Sequence, residues 1–340
     1  MTSPKPFAVM VTGGAGYIGS HAVLALIEAG WRVVVLDNLT TGFRWAVTPE
    51  AAFVEGDVAD MALVGRTIAD HGVGAILHFA GSIIVPESVA DPLKYYRNNT
   101  AASRALIEAA VAGGVRHFLF SSTAATYGIP ESVPIREEAP TRPINPYGMS
   151  KLMTEAMLRD TAAAHPLTYG ALRYFNVAGA DPMGRTGQST EGATHLIKIA
   201  VEAAIGKRDS VAVFGTDYAT PDGTGVRDYI HVSDLADAHV STLDHLVAHP
   251  GDNLVMNCGY GRGYSVLEVL DTVDRVIGRP LPRRMAPRRA GDPDALVADN
   301  ARILATLPWR PRRDDLATIV KDALAWEERL AERQAPPLAG

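Results

Sequence analysis

The chain has 340 residues, 47% of them apolar and 21% charged, enough to bury one large core or two lobes. Its formal charge of −6, from 32 basic against 38 acidic residues, includes no basic tract and argues against a nucleic-acid partner. The single cysteine, Cys258, excludes an intrachain disulfide framework and a cysteine-built zinc centre, and no metal is expected.

The N-terminus, Met1 to Phe7, lacks the apolar stretch of a signal peptide, and no run is long enough to span a bilayer. The expected setting is therefore the cytoplasm, with no membrane partner. From Ala8 the pattern alternates strand with helix. Ala8–Val11 reads as a short strand, Tyr17–Ala29 as a helix stopped at Gly30, and Arg32–Leu36 as a β-branched strand ending at Asp37. Further apolar runs at Ala51–Val54, Ala75–Phe79, Phe118–Phe120 and Ala171–Tyr174 lie between helical segments. This alternation predicts an α/β fold, a Rossmann-type doubly wound parallel sheet with helices on both faces. Beyond Asn176 the pattern loosens. The expected division is a dinucleotide-binding domain over 1–176, with a return segment near 226–245, and a smaller C-terminal substrate lobe over 177–340. The tail from Gln334 to Gly340 is expected to be frayed.

Between the first strand and first helix lies Thr12-Gly-Gly-Ala-Gly-Tyr-Ile-Gly19. Glycines at 13, 16 and 19 let the backbone turn tightly, approach a pyrophosphate and pack helix on strand. The helix N-terminus then offers free N–H groups to the anion. A glycine pattern alone also fits a plain tight turn. Here it sits between strand and helix, and Asp37 ends the next strand at about the ~20-residue interval of dinucleotide sites. A carboxylate there accepts from a ribose 2′-hydroxyl and repels a 2′-phosphate, which favours NAD; the plainer reading of Asp37 is a turn residue.

Asn145-Pro146 is a helix start, with Asn as N-cap and Pro in the first turn. Tyr147 and Lys151 then share a face at i and i+4. An ammonium near a phenol lowers its pKa from about 10, as would the helix N-terminus and a nicotinamide cation. Such a phenolate takes a proton from a sugar hydroxyl while hydride leaves the same carbon. Upstream, Phe118-Leu-Phe-Ser-Ser-Thr123 ends a strand in hydroxyls, where open α/β sheets bind ligands. Thr123 is positioned to bond the reacting oxygen, or else the three hydroxyls satisfy strand-end backbone groups.

Together these features resemble the extended short-chain dehydrogenase/reductase family, and within it the UDP-glucose 4-epimerase branch. The resemblance runs from Val11-Thr-Gly-Gly-Ala-Gly-Tyr-Ile-Gly-Ser-His21 through Pro146-Tyr-Gly-Met-Ser-Lys151 and Arg173-Tyr-Phe-Asn176. It continues in Asp222-Gly-Thr-Gly-Val-Arg-Asp-Tyr-Ile-His231 and Ala286-Pro-Arg-Arg-Ala-Gly-Asp292. It implies reversible, NAD-dependent epimerisation at C4 of a UDP-sugar through a 4-keto intermediate, with Tyr147 as proton carrier, Lys151 on the nicotinamide ribose and Thr123 on the sugar. Gly13, Gly16, Gly19, Tyr17 and Ile18 would cover the pyrophosphate, Asp37 and Asn38 the ribose, and Asp57 and Val58 the adenine. Phe79, Ala80, Asn98, Ser121 and Tyr174 would line the nicotinamide side. Substrate contacts would come from Asn176, Leu196 and Phe214 around the UDP, Arg227 and Arg289 on the diphosphate, and Asp292 on the uridine ribose.

The chain departs from the family pattern in places. Ile83 stands where some members carry lysine, and His195 where asparagine is common; Leu296 occupies the position whose size helps admit or reject N-acetyl sugars. A UDP-pentose epimerase is the nearest alternative. A 4,6-dehydratase needs an acid/base pair after the active-site threonine, where this chain has Ala124 and Ala125. A non-catalytic dinucleotide sensor would have no use for Tyr147, Lys151 and Thr123 together. The family also implies a homodimer formed by helices at about Asn98–Ala112 and Tyr147–Ala164.

Overall fold

The computed structural model describes residues 5–289 and 292–334. Met1–Pro4, Ala290, Gly291 and the tail after Gln334 lie outside the described residues, so the expectation of a frayed terminus falls outside them.

The first part of the chain runs β1 (Ala8–Thr12), α1 (Tyr17–Glu28), β2 (Arg32–Asp37), β3 (Ala52–Glu55), α2 (Met61–His71) and β4 (Val73–His78). Short helices α3 (Val85–Ala90) and α4 (Pro92–Tyr95) lead through a π-helical turn, Tyr96–Ala101, into α5 (Ala102–Ala112). Then follow β5 (His117–Thr123), α6 (Pro146–Ala164) and β6 (Thr168–Tyr174). The second part comprises β7 (Asn176–Ala178), α7 (Leu196–Ala204), β8 (Val211–Phe214), β9 (Val226–His231), α8 (Val232–Ala248) and β10 (Leu254–Cys258). It ends with β11 (Gly263–Ser265), α9 (Val266–Ile277), β12 (Arg283–Ala286), β13 (Ala295–Leu296), α10 (Ala301–Thr306) and α11 (Leu316–Gln334). No helix among the described residues is long and apolar enough to cross a membrane.

Seven strands form one parallel sheet in the order β10-β6-β5-β4-β1-β2-β3. The order reverses between β1 and β4, which opens a crevice at the strands' C-terminal ends. Alternate residues along each strand feed two separate cores. Met10, Val34, Ile76 and Phe118 face the side carrying α2, α5 and α6, while Val9, Val35, Leu77 and Leu119 face α1 and α8. Both sides being buried explains why these strands read as unbroken apolar runs.

Local signals set the helix ends. After α1, Gly30 takes φ +82 and donates to Ile27 O at 2.9 Å, turning the chain into β2. The chain leaves the large sheet after β6 and comes back as α8 and β10. Between and after these, β7, β9, β11 and β13 form a small sheet and β8 pairs with β12. Helices α7, α9 and α11 enclose a third core around Val213, Tyr229 and Leu270.

One buried ion pair ties sheet to helix. Arg173 on β6 donates to both carboxylate oxygens of Glu155 on α6, at 2.9 and 2.6 Å, with both side chains 7% exposed. Ser122 Oγ also donates to Glu155, and Arg173 Nη1 donates to Tyr127 Oη at 3.0 Å. Tyr127 in turn donates to Asn257 Oδ1 at 2.7 Å, so the network spans β5, α6, β6 and β10. Removing one partner strands the other charge out of water. Glu155→Leu should lower stability by about 3–5 kcal/mol in urea unfolding; a change below about 1 kcal/mol would contradict this role.

Candidate active site

The glycine turn lies at the C-terminal end of β1, in the crevice. Gly13 takes φ +72, and a Cβ there would stand 2.6 Å from Ala80 N. A Cβ on Gly19 would stand 2.1 Å from Gly13 O. The turn therefore needs glycine twice over, once against the segment after β4 and once against its own backbone. Gly16 is the N-cap of α1 and caps it with no side chain, so the first amides, at Tyr17 and Ile18, carry no cap. Tyr17 Oη donates to Gly179 O at 2.7 Å, pinning the turn to the second part of the chain.

Asp37 takes the turn role expected of it and adds a second contact. It closes its own turn by accepting from Leu39 N at 2.8 Å, and it holds the glycine turn by accepting from Ala15 N at 2.9 Å. Asn38 Nδ2 donates to Asp57 at 3.0 Å, joining the ends of β2 and β3, with Val58 buried behind them. On the other side of the turn, Phe79 N donates to Thr12 O at 3.0 Å, which sets Phe79 and Ala80 alongside Gly13.

Helix α6 brings the reactive pair to β5. Asn145 caps it, accepting from Gly148 N at 2.9 Å, as its sequence foretells. Lys151, only 2% exposed, donates to Ser121 O at 3.0 Å and lies 4.9 Å from the Phe120 ring centre. Ser121 Oγ bonds Tyr174 Oη. Thr123 Oγ1 accepts from Ala125 N at 3.1 Å, which leaves its O–H free to donate. Each of the three strand-end hydroxyls thus has a different partner, and only Thr123 satisfies a backbone group.

The expectation of a lowered Tyr147 pKa needs correction. Burial raises the phenol above its ordinary value of 10.0, and the Thr123 side chain opposes this only in part. The physical reason is burial: out of water the phenolate is disfavoured by more than the Thr123 hydrogen bond favours it. Burial also lowers Lys151 from 10.5 to about 8.

The second part of the chain brings the remaining expected residues into groups. Asn176, His195 and Leu196 line one small cavity of about 20 Å³. His195 Nδ1 lies 2.9 Å from Gln188 Nε2. Arg227 and Asp292 form an ion pair, and Arg289 lies 4.0 Å over the Phe214 ring. Leu296 pairs with Arg227 in register and packs against Ala124, Tyr127 and Ile135, next to Thr123. This contact carries the C-terminal lobe to the end of β5. Asn98 on the π-helical turn reaches Ser82 Oγ at 3.2 Å, and Ile83 beside it is 52% exposed.

Some residues of the site escaped the sequence reading. Asn99 accepts from Ser82 N at 2.7 Å and donates to Ser150 Oγ at 3.0 Å, fastening the 82 loop to α6. A Cβ on Gly81 would stand 2.9 Å from Asn99 Oδ1 and 3.8 Å from Lys151 Nζ. Tyr218 buries its hydroxyl, near Arg227 and Asp292, without a hydrogen-bond partner among the described residues. His239, wedged against Phe79 and Tyr174, likewise leaves Nε2 unpaired among the described residues. Of these, Asn99 and Gly81 directly follow Asn98 and Ala80, which the sequence singles out; Tyr218 and His239 carry no sequence signal.

The profile of the NAD dependent epimerase/dehydratase family matches residues 9–259. The chain is 59% identical over 324 residues to a UDP-glucose 4-epimerase of Azospirillum brasilense, covering 95% of this chain and 93% of that protein. Its fold superposes on the UDP-glucose 4-epimerase of Brucella ovis in complex with NAD, with a TM-score of 0.91 and 47% identity over 94% of this chain and 98% of that one. It also superposes on the UDP-glucose 4-epimerase of Stenotrophomonas maltophila with bound NAD and formylated UDP-arabinopyranose, with a TM-score of 0.93, 38% identity, and coverage of 96% and 99%.

The lowered Lys151 value has a signed consequence. Between about pH 8 and 10.5 the unfolded chain holds the lysine proton and the folded chain has lost it, so stability rises with pH across that window. The melting temperature of the wild type relative to Lys151→Met should therefore climb as the pH is raised from 8 to 10.5. A difference independent of pH would contradict the burial of the ammonium.

Proposed function

The chain belongs to the NAD-dependent epimerase/dehydratase family, and we propose on that footing that it interconverts UDP-glucose and UDP-galactose by epimerisation at C4. The observation that carries this reading is the meeting of Tyr147, Lys151 and Thr123 at the C-terminal end of β5, beside the glycine turn. The turn fits NAD in its own geometry, because its glycines let the backbone close tightly on itself and on Ala80 while the amides at the start of α1 stay uncapped for a pyrophosphate. Tyr17, Ile18, Asp37, Asn38, Asp57 and Val58 would hold the adenosine diphosphate half. Phe79, Ala80, Asn98, Ser121, Tyr174 and Lys151 would hold the nicotinamide half. When bound, NAD supplies the acceptor, and later the donor, of one hydride.

In this mechanism the chain's own residues move the proton. Tyr147 takes it from the sugar O4 as C4 is oxidised, and Thr123 directs its free O–H at the same oxygen. Tyr147 must ionise against its burial, so a positive charge nearby in the loaded site is required, and the Lys151 ammonium supplies it at neutral pH. The resulting 4-keto sugar turns about its link to the diphosphate, and Tyr147 returns the proton as hydride reaches the other face. Arg227, held by Asp292, and Arg289, stacked on Phe214, anchor the diphosphate during that turn. Asn176 and Leu196 would border the uridine side. Leu296, packed beside Tyr127, bears on the bulk of the sugar admitted.

We place the enzyme in the cytoplasm and expect a homodimer through α5 and α6. A groove of about 650 Å³ between those helices, lined by Arg104, Ile107, Val111, Met157 and Ala164, supports that surface. The catalytic assignment is tested by Tyr147→Phe. The variant should retain NAD and lose turnover by about a hundred- to ten-thousand-fold, measured as UDP-galactose conversion. A wild-type rate would overturn it.

A further inference from the structure

The far end of α8 carries a side-chain cluster that the epimerase reading does not use. His245 lies in the last turn of the helix, His249 is its C-cap one turn on, and Asp252 follows in the turn to β10. One ligand atom from each of the three lies within 4.8 Å of the other two. The two imidazole rings stack with centres 4.2 Å apart, and His245 Nε2 stands 2.9 Å from Asp252 Oδ2.

The hydrogen bond of His249 prepares its lone pair. His249 Nδ1 lies 2.9 Å from the backbone carbonyl of His245. A carbonyl only accepts, so Nδ1 carries the proton and Nε2 keeps its lone pair, which is the tautomer a metal ligand requires. Asp252 is held in place from two directions. Its amide donates to His249 O at 3.2 Å, and the next residue, Asn253, accepts from Tyr169 N at 3.0 Å at the start of β6. Gly251, at φ +101, makes the sharp turn between them.

We propose that His245, His249 and Asp252 form a binding site for a transition-metal dication of the zinc class, completed by water. Two imidazoles and one carboxylate favour such an ion over magnesium or calcium, which take oxygen ligands. Ligand atoms about 2.0–2.2 Å from a tetrahedral ion stand closer together than the present spread, and rotation of the exposed His249 and Asp252 side chains closes the difference. The ion would take the place of the His245–Asp252 hydrogen bond, the neutral His245 ring carrying its proton on Nδ1 in place of Nε2, and clip the end of α8 to the start of β10. This site lies at the edge of the parallel sheet where strands begin, across the sheet from Tyr147 and the glycine turn. It therefore acts on stability and leaves the reaction untouched, since an ion bound only by the folded chain raises its melting temperature.

The test uses untagged, NAD-loaded enzyme stripped with chelator and dialysed against micromolar zinc chloride or, in a parallel arm, magnesium chloride. One equivalent of zinc per chain should be retained, with a raised melting temperature, and no magnesium. His249→Ala and His245→Ala should each weaken zinc uptake by about tenfold or more and abolish the thermal shift, with epimerase activity unchanged. Failure of the wild type to take up zinc saturably, or uptake unaltered in both variants, would overturn the site. Because activity is read separately, that failure is distinct from any failure of the epimerase assignment.

Discussion

A buried ammonium bonded to a strand carbonyl organises this molecule. Lys151 donates to Ser121 O and lies over Phe120, so the first two turns of α6 cannot move without exposing or stranding a charge. Tyr147 and Glu155 stand one turn before and one turn after Lys151, and all three therefore share a face of the helix. Tyr147 is the proton carrier proposed above, Lys151 fixes the helix on β5, and Glu155 locks it to β6 through Arg173. Ser150 on the same helix accepts from Asn99, which holds the loop after β4. Catalytic geometry and fold stability are in this sense one set of contacts.

The cofactor side follows a parallel logic with backbone in place of charge. Gly13 and Gly19 are required by close approach, and Asp37 fastens the resulting turn through Ala15. The carboxylate that ends β2 is part of the turn's own scaffold, so the role proposed for it toward a ribose would be added to a structural one. The second lobe reaches this crevice by Tyr17 to Gly179 and by Leu296 beside Tyr127, which explains how a substrate held by Arg227 and Arg289 would meet Tyr147.

Much of this was legible in the chain. The strands of the large sheet announce themselves because both faces are buried, and the α6 start is written in Asn145-Pro146. The glycine turn and Asp37 state their spacing outright. What escaped depends on contacts between distant residues. The small sheet gathers β7, β9, β11 and β13 from across about a third of the chain, and β7, β11 and β13 are too short to show a period. The π-helical turn at Tyr96–Ala101 leaves no mark in a helical pattern. Arg227 pairs with Asp292 across 65 residues, and Tyr218 buries its hydroxyl beside them. The direction of the Tyr147 shift is hidden for a similar reason: i, i+4 spacing places two side chains on one face and does not say how deeply that face is buried.

The central claim is that one carbon gives up a hydride and takes the same one back while Tyr147 handles the proton. It is tested most directly with UDP-galactose deuterated at C4, incubated with purified enzyme in ordinary water without added NAD. The account predicts UDP-glucose with the deuterium kept at C4. Loss of the label to solvent during conversion, or no conversion at all, would contradict it.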